Sequence, residues 1–238
     1  MAAPAKTPLI ENLADIEVSL GSTLTRRQIM LKLYDCKTAP SPRRTRMLLA
    51  EKGIEHENIQ IDLREGEQMS DAFRKINPRC TVPALVTEDG VMTENAEITA
   101  YLEALHPDRP MLGTTPREKS LIAKWNWRCE MEGLMSVASA LRNSARSMKD
   151  RALPGPRKVA QIPELAERGR MQIAWFFEGL NWQLKENKYV AGPNYSVADI
   201  TATVVVDFAD WVKVYPLESQ TALLEWHERM KARPSYEA

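Results

Sequence analysis

The chain has 238 residues, of which 44% are hydrophobic and 27% charged, the profile of an ordinary globular protein of one or two domains. Lys+Arg and Asp+Glu both number 32, so the formal net charge is zero. That balance denies the chain the global field a dedicated nucleic-acid binder or a polybasic membrane-surface protein needs. Cys36, Cys80 and Cys129 stand far apart and form no CxxC, so neither a disulfide framework nor a cysteine metal site is expected. A reducing, cytoplasmic setting follows from the same cysteine usage. The three histidines make no HExxH, there is no Walker loop or GxGxxG, and no apolar run reaches the ~18 residues of a membrane span.

Residues 1–29 have no signal-peptide core, and Glu11, Asp15 and Glu17 argue against a transit peptide. They read as a mobile N-terminal extension, with Met30 as an alternative natural start. Leu31–Tyr34 is strand-like and is followed by the Pro-rich turn Thr38–Pro42. A helix is expected over Arg43–Lys52, opened by Ser41 as N-cap with Pro42 behind it and stopped at Gly53. His56–Ile61 reads as a strand and Gln68–Ile76 as a short helix. Val82–Thr87 and Gly90–Thr93 flank an Asp-Gly hairpin signal, and Asn95–Leu105 is again helical. This β-α-β-α-β-β-α order defines an α/β unit over residues 30–106.

Pro107, Pro110, Gly113 and Pro116 mark residues 107–116 as a linker. Residues 117–238 are helical in period throughout. Arg117–Lys149 reads as one long amphipathic helix bent at Gly133, and Glu164–Leu184, Ser196–Val214 and Ser219–Ala232 as three more. The fold class is therefore α/β plus all-α, with a helical bundle as the second domain.

Three local signals carry chemistry. A cis proline at Pro83 would hold the backbone of Val82 open to pair with a peptide-like ligand as an added strand. Asn95 reads as the N-cap of a helix whose N–H groups suit a carboxylate, with Glu94 beside it for an ammonium group. The start of the first helix suits a thiolate, and Lys37, Arg43, Arg44, Arg46 and Lys52 against Glu51 give that stretch a local charge of +4. Each signal also has an ordinary reading: an edge-strand proline, a cap beside a solvated glutamate, and a solvated basic face.

In this order the signals resemble the cytosolic glutathione transferases, from Met30 to the C-terminus. Asn77-Pro78-Arg79-Cys80-Thr81-Val82-Pro83-Ala84-Leu85 is similar to the family's Asn-Pro-x-Gly-x-Val-Pro-x-Leu. Glu94-Asn95-Ala96-Glu97-Ile98, followed by Tyr101-Leu102, resembles its Glu-Ser-x-Ala-Ile…Tyr-Leu. Tyr195-Ser196-Val197-Ala198-Asp199-Ile200 resembles its helix-opening capping box, and Trp226…Arg229-Met230-Lys231-Ala232-Arg233-Pro234-Ser235 its C-terminal helix. The resemblance implies a thioredoxin-like N-terminal domain, a helical second domain and a homodimer.

It also implies glutathione as co-substrate and a small, apolar electrophile as acceptor, with no metal, no nucleic acid and no membrane. On this resemblance Val82, held by Pro83 and next to Thr81, pairs with the cysteinyl backbone. Glu94 and Asn95 hold the γ-glutamyl end, and Gln68 contacts the glycyl end. The family's usual Tyr, Ser or Cys before the first helix is replaced by Ala39, as in an atypical yeast and bacterial subclass. Ser41, with Thr38 as second candidate, is then expected to favour the thiolate, and Arg142 and Asn143 to face the thiolate or the acceptor. Cys36 reads as a buried strand residue. Cys80 stands in place of a glycine, and Glu97 in place of an alanine near the γ-glutamyl site. The alternative function is a non-catalytic binding or assembly protein that keeps the fold.

Overall fold

Leu31–Asp35 turns Leu33 and Asp35 inward and forms β1. The computed structural model describes residues 31–238, so the extension expected over 1–29 lies outside the described residues. β1 pairs in parallel with β2 (His56–Gln60), Leu31 lying opposite His56, and antiparallel with β3 (Ala84–Thr87), Leu33 lying opposite Leu85. β4 (Gly90–Met92) returns antiparallel on β3, which gives the sheet order β2-β1-β3-β4. Between β1 and β2 runs α1 (Pro40–Lys52), whose Met47, Leu48 and Leu49 are buried. α3 (Asn95–Leu105) buries Ile98 and Leu102. These are the elements of the expected thioredoxin-like unit.

α1 starts earlier than the sequence suggests, and Ser41 does not cap it. Ala39 occupies the N-cap position without any side-chain bond, and Pro40 is the first helical residue. Pro40 and Pro42 have no N–H, so two of the first-turn donors a cap would satisfy do not exist. Gly53 ends the helix at φ 65°, its N–H reaching the Ala50 carbonyl at 3.1 Å. The helix expected over Gln68–Ile76 is divided. A 3-10 turn, Glu67–Met69, precedes α2 (Asp71–Ile76), because the Ser70 hydroxyl accepts from Phe73 N at 3.1 Å and starts a new helix.

The second unit is helical. α4 (Pro116–Arg128) opens with a Thr115–Glu118 capping box. The expected single helix from Arg117 to Lys149 is interrupted: a π-helical segment, Cys129–Leu134, and then α5 (Met135–Ser144) follow α4. Gly133 lies in the π segment, where a Cβ would come within 2.9 Å of Val205 and 3.1 Å of Phe176. Close approach, with the extra residue of the π turn, is the physical reason for the break. α6 (Pro163–Glu186), α7 (Val197–Ala209) and α8 (Thr221–Lys231) complete the bundle. α7 is buried on nearly every side and packs against α1 and α4. One hydrophobic core therefore runs from Leu33 and Leu85 of the sheet through α1 to Ile173, Phe177, Val205 and Trp226.

The basic stretch at α1 is neither a solvated face nor an open +4 field. Arg43 donates to Asp207 of α7 at 2.5 Å, and Arg44 to Glu130 of the π segment at 2.5 Å. Arg46 reaches the buried Asp35 at 2.5 Å, and the fully buried Lys52 reaches Glu103 at 2.6 Å. From the helical side of the interface, Arg233, just past α8, forms a two-pronged pair with Glu51 at 2.8 and 2.7 Å, and Ser235 also donates to that carboxylate. These charges join the two units to each other.

Candidate active site

Of the expected binding residues, Thr81, Val82 and Pro83 precede β3, Glu94 and Asn95 open α3, and Gln68 lies in the 3-10 turn before α2. The Val82–Pro83 bond is cis. Val82 lies outside the strand registers, which end on the Tyr34–Ala84 pair. Its side chain packs with Ile61 and Phe73, flanked by Tyr34, Cys36 and Leu63. Asn77, 1% exposed, builds the turn before it: Nδ2 donates to the Thr81 carbonyl at 2.8 Å and to its hydroxyl at 3.0 Å, while Oδ1 accepts from Arg79 N at 3.0 Å. Cys80 takes φ 55° in that turn, the left-handed conformation that explains a glycine in the related motif. The position-setting role of Asn77 was not read from the sequence, although it begins the motif.

Asn95 is the first residue of α3 and Glu94 its N-cap, so the cap lies one residue earlier than expected. The Asn95 amide ties the helices together: Oδ1 accepts from Thr45 at 2.9 Å, and Nδ2 donates to Ser41 Oγ at 3.0 Å. What α3 offers a ligand is its first-turn N–H groups rather than this side chain. Glu97 turns back and accepts from Thr93 N at 3.2 Å, a local cap bond. Glu94 is exposed and lies 3.6 Å from Arg79. With Pro40 and Pro42 on either side, Ser41 supplies the only N–H of its three-residue helix start, and its hydroxyl, already accepting from Asn95, keeps a proton to donate. Thr38 is exposed and stands 3.6 Å from the Cys36 sulfur. Cys36 follows β1 and is only half-buried, which corrects its reading as a buried strand residue. Gln68 is buried, and its Oε1 has no partner among the described residues.

Arg142 and Asn143 sit in the last turn of α5. Asn143 is buried, donating to Ser139 O at 2.9 Å and accepting from Ile162 N at 2.9 Å. Its amide oxygen holds the entry to α6, while its NH2 stays on the preceding turn of α5. Arg142 donates to Arg151 O at 2.9 Å, and Arg151 donates to Leu63 O at 3.4 Å, so Arg142 meets the sheet unit through its neighbour. Burial and the Arg151 charge both hold the Arg142 guanidinium below its usual range. Cys129 is buried in the core, where burial pushes its thiol well up and keeps it neutral.

A four-stranded mixed sheet with a Val-Pro step before β3, two helix starts joined through Asn95 and a helical bundle packed on α1 define a thioredoxin-like unit joined to a helical domain. The glutathione S-transferase N-terminal domain model matches residues 38–105, and the C-terminal domain model matches residues 141–234. The chain is 34% identical over 209 residues to glutathione S-transferase 2 of Saccharomyces cerevisiae, covering 85% of this chain and 86% of the relative. Among solved structures, yeast Gtt2 superposes with a TM-score of 0.78 at 33% identity, covering 86% of this chain and 97% of that one. A glutathione S-transferase domain-containing protein of Marinobacter aquaeolei gives 0.79 at 32%, covering 86% and 98%. The protein belongs to the glutathione S-transferase family.

Proposed function

We propose that the protein binds glutathione at this site and transfers its thiolate to a small electrophile. The observation that carries the reading is that Val82 stands outside the strand registers while Asn95 ties the starts of α1 and α3 together. The cysteinyl backbone of the tripeptide pairs with Val82, the step set by Pro83 and by the Asn77–Thr81 turn. The γ-glutamyl carboxylate lies on the N–H groups opening α3, and its ammonium group lies toward Glu94. Gln68 meets the glycyl end: its unpartnered amide oxygen suits the peptide N–H, and the same amide turned over donates to the carboxylate. Ser41, by its N–H and its hydroxyl proton, stabilises the thiolate, with Thr38 at the rim. A free thiol titrates near ~8.5, so a fall of about two units makes it mostly thiolate at neutral pH. Asn143 and Arg142 act on the acceptor side, Asn143 as a positioning residue for the α5–α6 turn.

Free thiols at Cys36, Cys80 and Cys129 support a cytoplasmic setting, and none of the described helices is long and apolar enough to cross a membrane. The exposed Trp127 and Met131, close to one another in the chain, support a homodimer, which sedimentation tests directly. Isothermal titration should show glutathione binding, with the bound thiol titrating well below the free one by ultraviolet absorbance. Silence at millimolar glutathione would favour the second reading, a binding or assembly protein without turnover. Ala39 and the two prolines at the start of α1 are the features that favour that reading.

A further inference from the structure

Positive charge is distributed unevenly between the two units. At α1 the arginines and Lys52 have carboxylate partners within 2.6 Å. Residues 142–158 carry Arg142, Arg146, Lys149, Arg151, Arg157 and Lys158 against Asp150 alone. None of these six cations forms an ion pair among the described residues. Two of them are not free on a solvated face. Arg142 is part-buried and anchored on the Arg151 carbonyl, and Arg151 is drawn onto Leu63. Two arginines are thus anchored on backbone carbonyls with no carboxylate partner among the described residues, an arrangement an anion would relieve.

The loop that carries them reaches the candidate site on two sides. Leu63, which Arg151 touches, packs on the cluster containing Val82 and Cys36. Gly155, at φ 107°, rests against the carbonyl of Arg79, whose side chain lies beside Glu94. A bridge between Arg151 and Val159 closes the loop at its base. We propose that this loop selects the acceptor: Arg142 and Arg151, reinforced by Arg157 and Lys158, bind an anionic group, a carboxylate, sulfonate or phosphate ester, carried by the electrophile. The inference rests on the glutathione-transferase reading and adds the class of second substrate. One carboxylate of glutathione would neutralise one of these charges and leave the rest, which is why the acceptor is assigned the anion.

The test is calorimetry on the full chain with glutathione, S-benzylglutathione and S-(para-carboxybenzyl)glutathione. The carboxylated conjugate should bind about tenfold tighter than the neutral one, or ~1.4 kcal/mol. That preference should shrink as salt rises from about 0.05 M to about 0.5 M. Arg151→Gln should bring it within about twofold. The exposed pair Arg157→Gln with Lys158→Gln, which leaves the Arg142 and Arg151 anchors in place, should lower it about threefold. Equal binding of the two conjugates by the unaltered chain would overturn the inference while leaving the glutathione reading intact. An equal loss for all three ligands in Arg151→Gln would reassign the pair to the glycyl carboxylate and overturn it too. Absence of glutathione binding altogether would overturn both readings together.

Discussion

Ser41 shows how far one side chain can be read in isolation. A serine before a proline has the chemistry of a helix cap, and the sequence supports that reading until Pro40 is counted as well. With Pro40 and Pro42 both inside the first turn, the cap has little to satisfy, and the hydroxyl turns to Asn95 instead. Ser41→Ala removes the donor proposed for the thiolate and should raise the pKa of bound glutathione by up to about one unit, roughly tenfold in thiolate population. Ultraviolet titration reads this directly, and an unchanged pKa would take Ser41 out of the mechanism. Asn77 makes a different contribution. Asn77→Ala deletes three part-buried bonds that hold the turn before Val82 and should cost about 1–3 kcal/mol in denaturant unfolding. Glutathione affinity should fall with it, because Val82 is placed by that turn. The cis bond at Pro83 was legible because a proline at a strand entry acts locally, whereas the bonds of Asn77 depend on how the chain closes around it.

At the scale of elements, helix existence was legible and helix continuity was not. The apolar stripe from Ile122 to Leu141 has helical spacing throughout, and nothing local to it signals a π segment. The break is placed by α6 and α7, whose Phe176 and Val205 sit where a Cβ on Gly133 would go. α5 and α6 approach each other in the same way at Gly169, where a Cβ would lie 2.7 Å from Ser136 O and 2.9 Å from Ala140 N. Backbone cannot yield as a flexible side-chain end does. Gly169→Ala should therefore destabilise by roughly 1–3 kcal/mol, although alanine is the better helix former by about 1 kcal/mol. Thermal unfolding would decide it, since a raised melting temperature would mean that the crossing is looser than described. The Ser196–Asp199 capping box was legible in full, being closed within four residues: Ser196 N donates to Asp199 at 3.0 Å.

Across the whole molecule, the buried carboxylates set a pH profile. Asp199 also accepts from Val190 N and Trp226 Nε1, and burial pushes its carboxyl up to about 6 despite these bonds. Its folded value lies above the unfolded ~3.9, so its contribution is fully present below about pH 4 and lost as pH rises through about 6. Glu51 and Asp207 behave in the opposite sense. Burial works against their charge, yet Arg233 and Ser235 on Glu51, and His227 and Arg43 on Asp207, outweigh it and hold both carboxyls low. Their contribution is present above the usual carboxylate range and lost on acidification. Urea unfolding from pH 3 to 8 should therefore show maximal stability at about pH 5, with a decline on each side. Asp199→Asn should flatten the limb between about pH 5 and pH 7, and Asp207→Asn the acid limb; parallel profiles in either variant would refute the assignment to that residue.

The sequence by itself determined the two-unit architecture, the cis Val82–Pro83 step, the start of α3 to within one residue and the capping box of α7. All of these are short-range: a periodicity, a proline, or a hydroxyl and a carboxylate a few residues apart. Only the tertiary structure decided what the charges do. Arg43 finds Asp207, Arg44 finds Glu130 and Glu51 finds Arg233 across the unit interface, at separations no local pattern encodes. A zero net charge thus conceals a basic helix that is fully paired and a basic loop that has no ion-pair partner among the described residues. Electrostatic energy depends on distance and burial, and folding alone sets those.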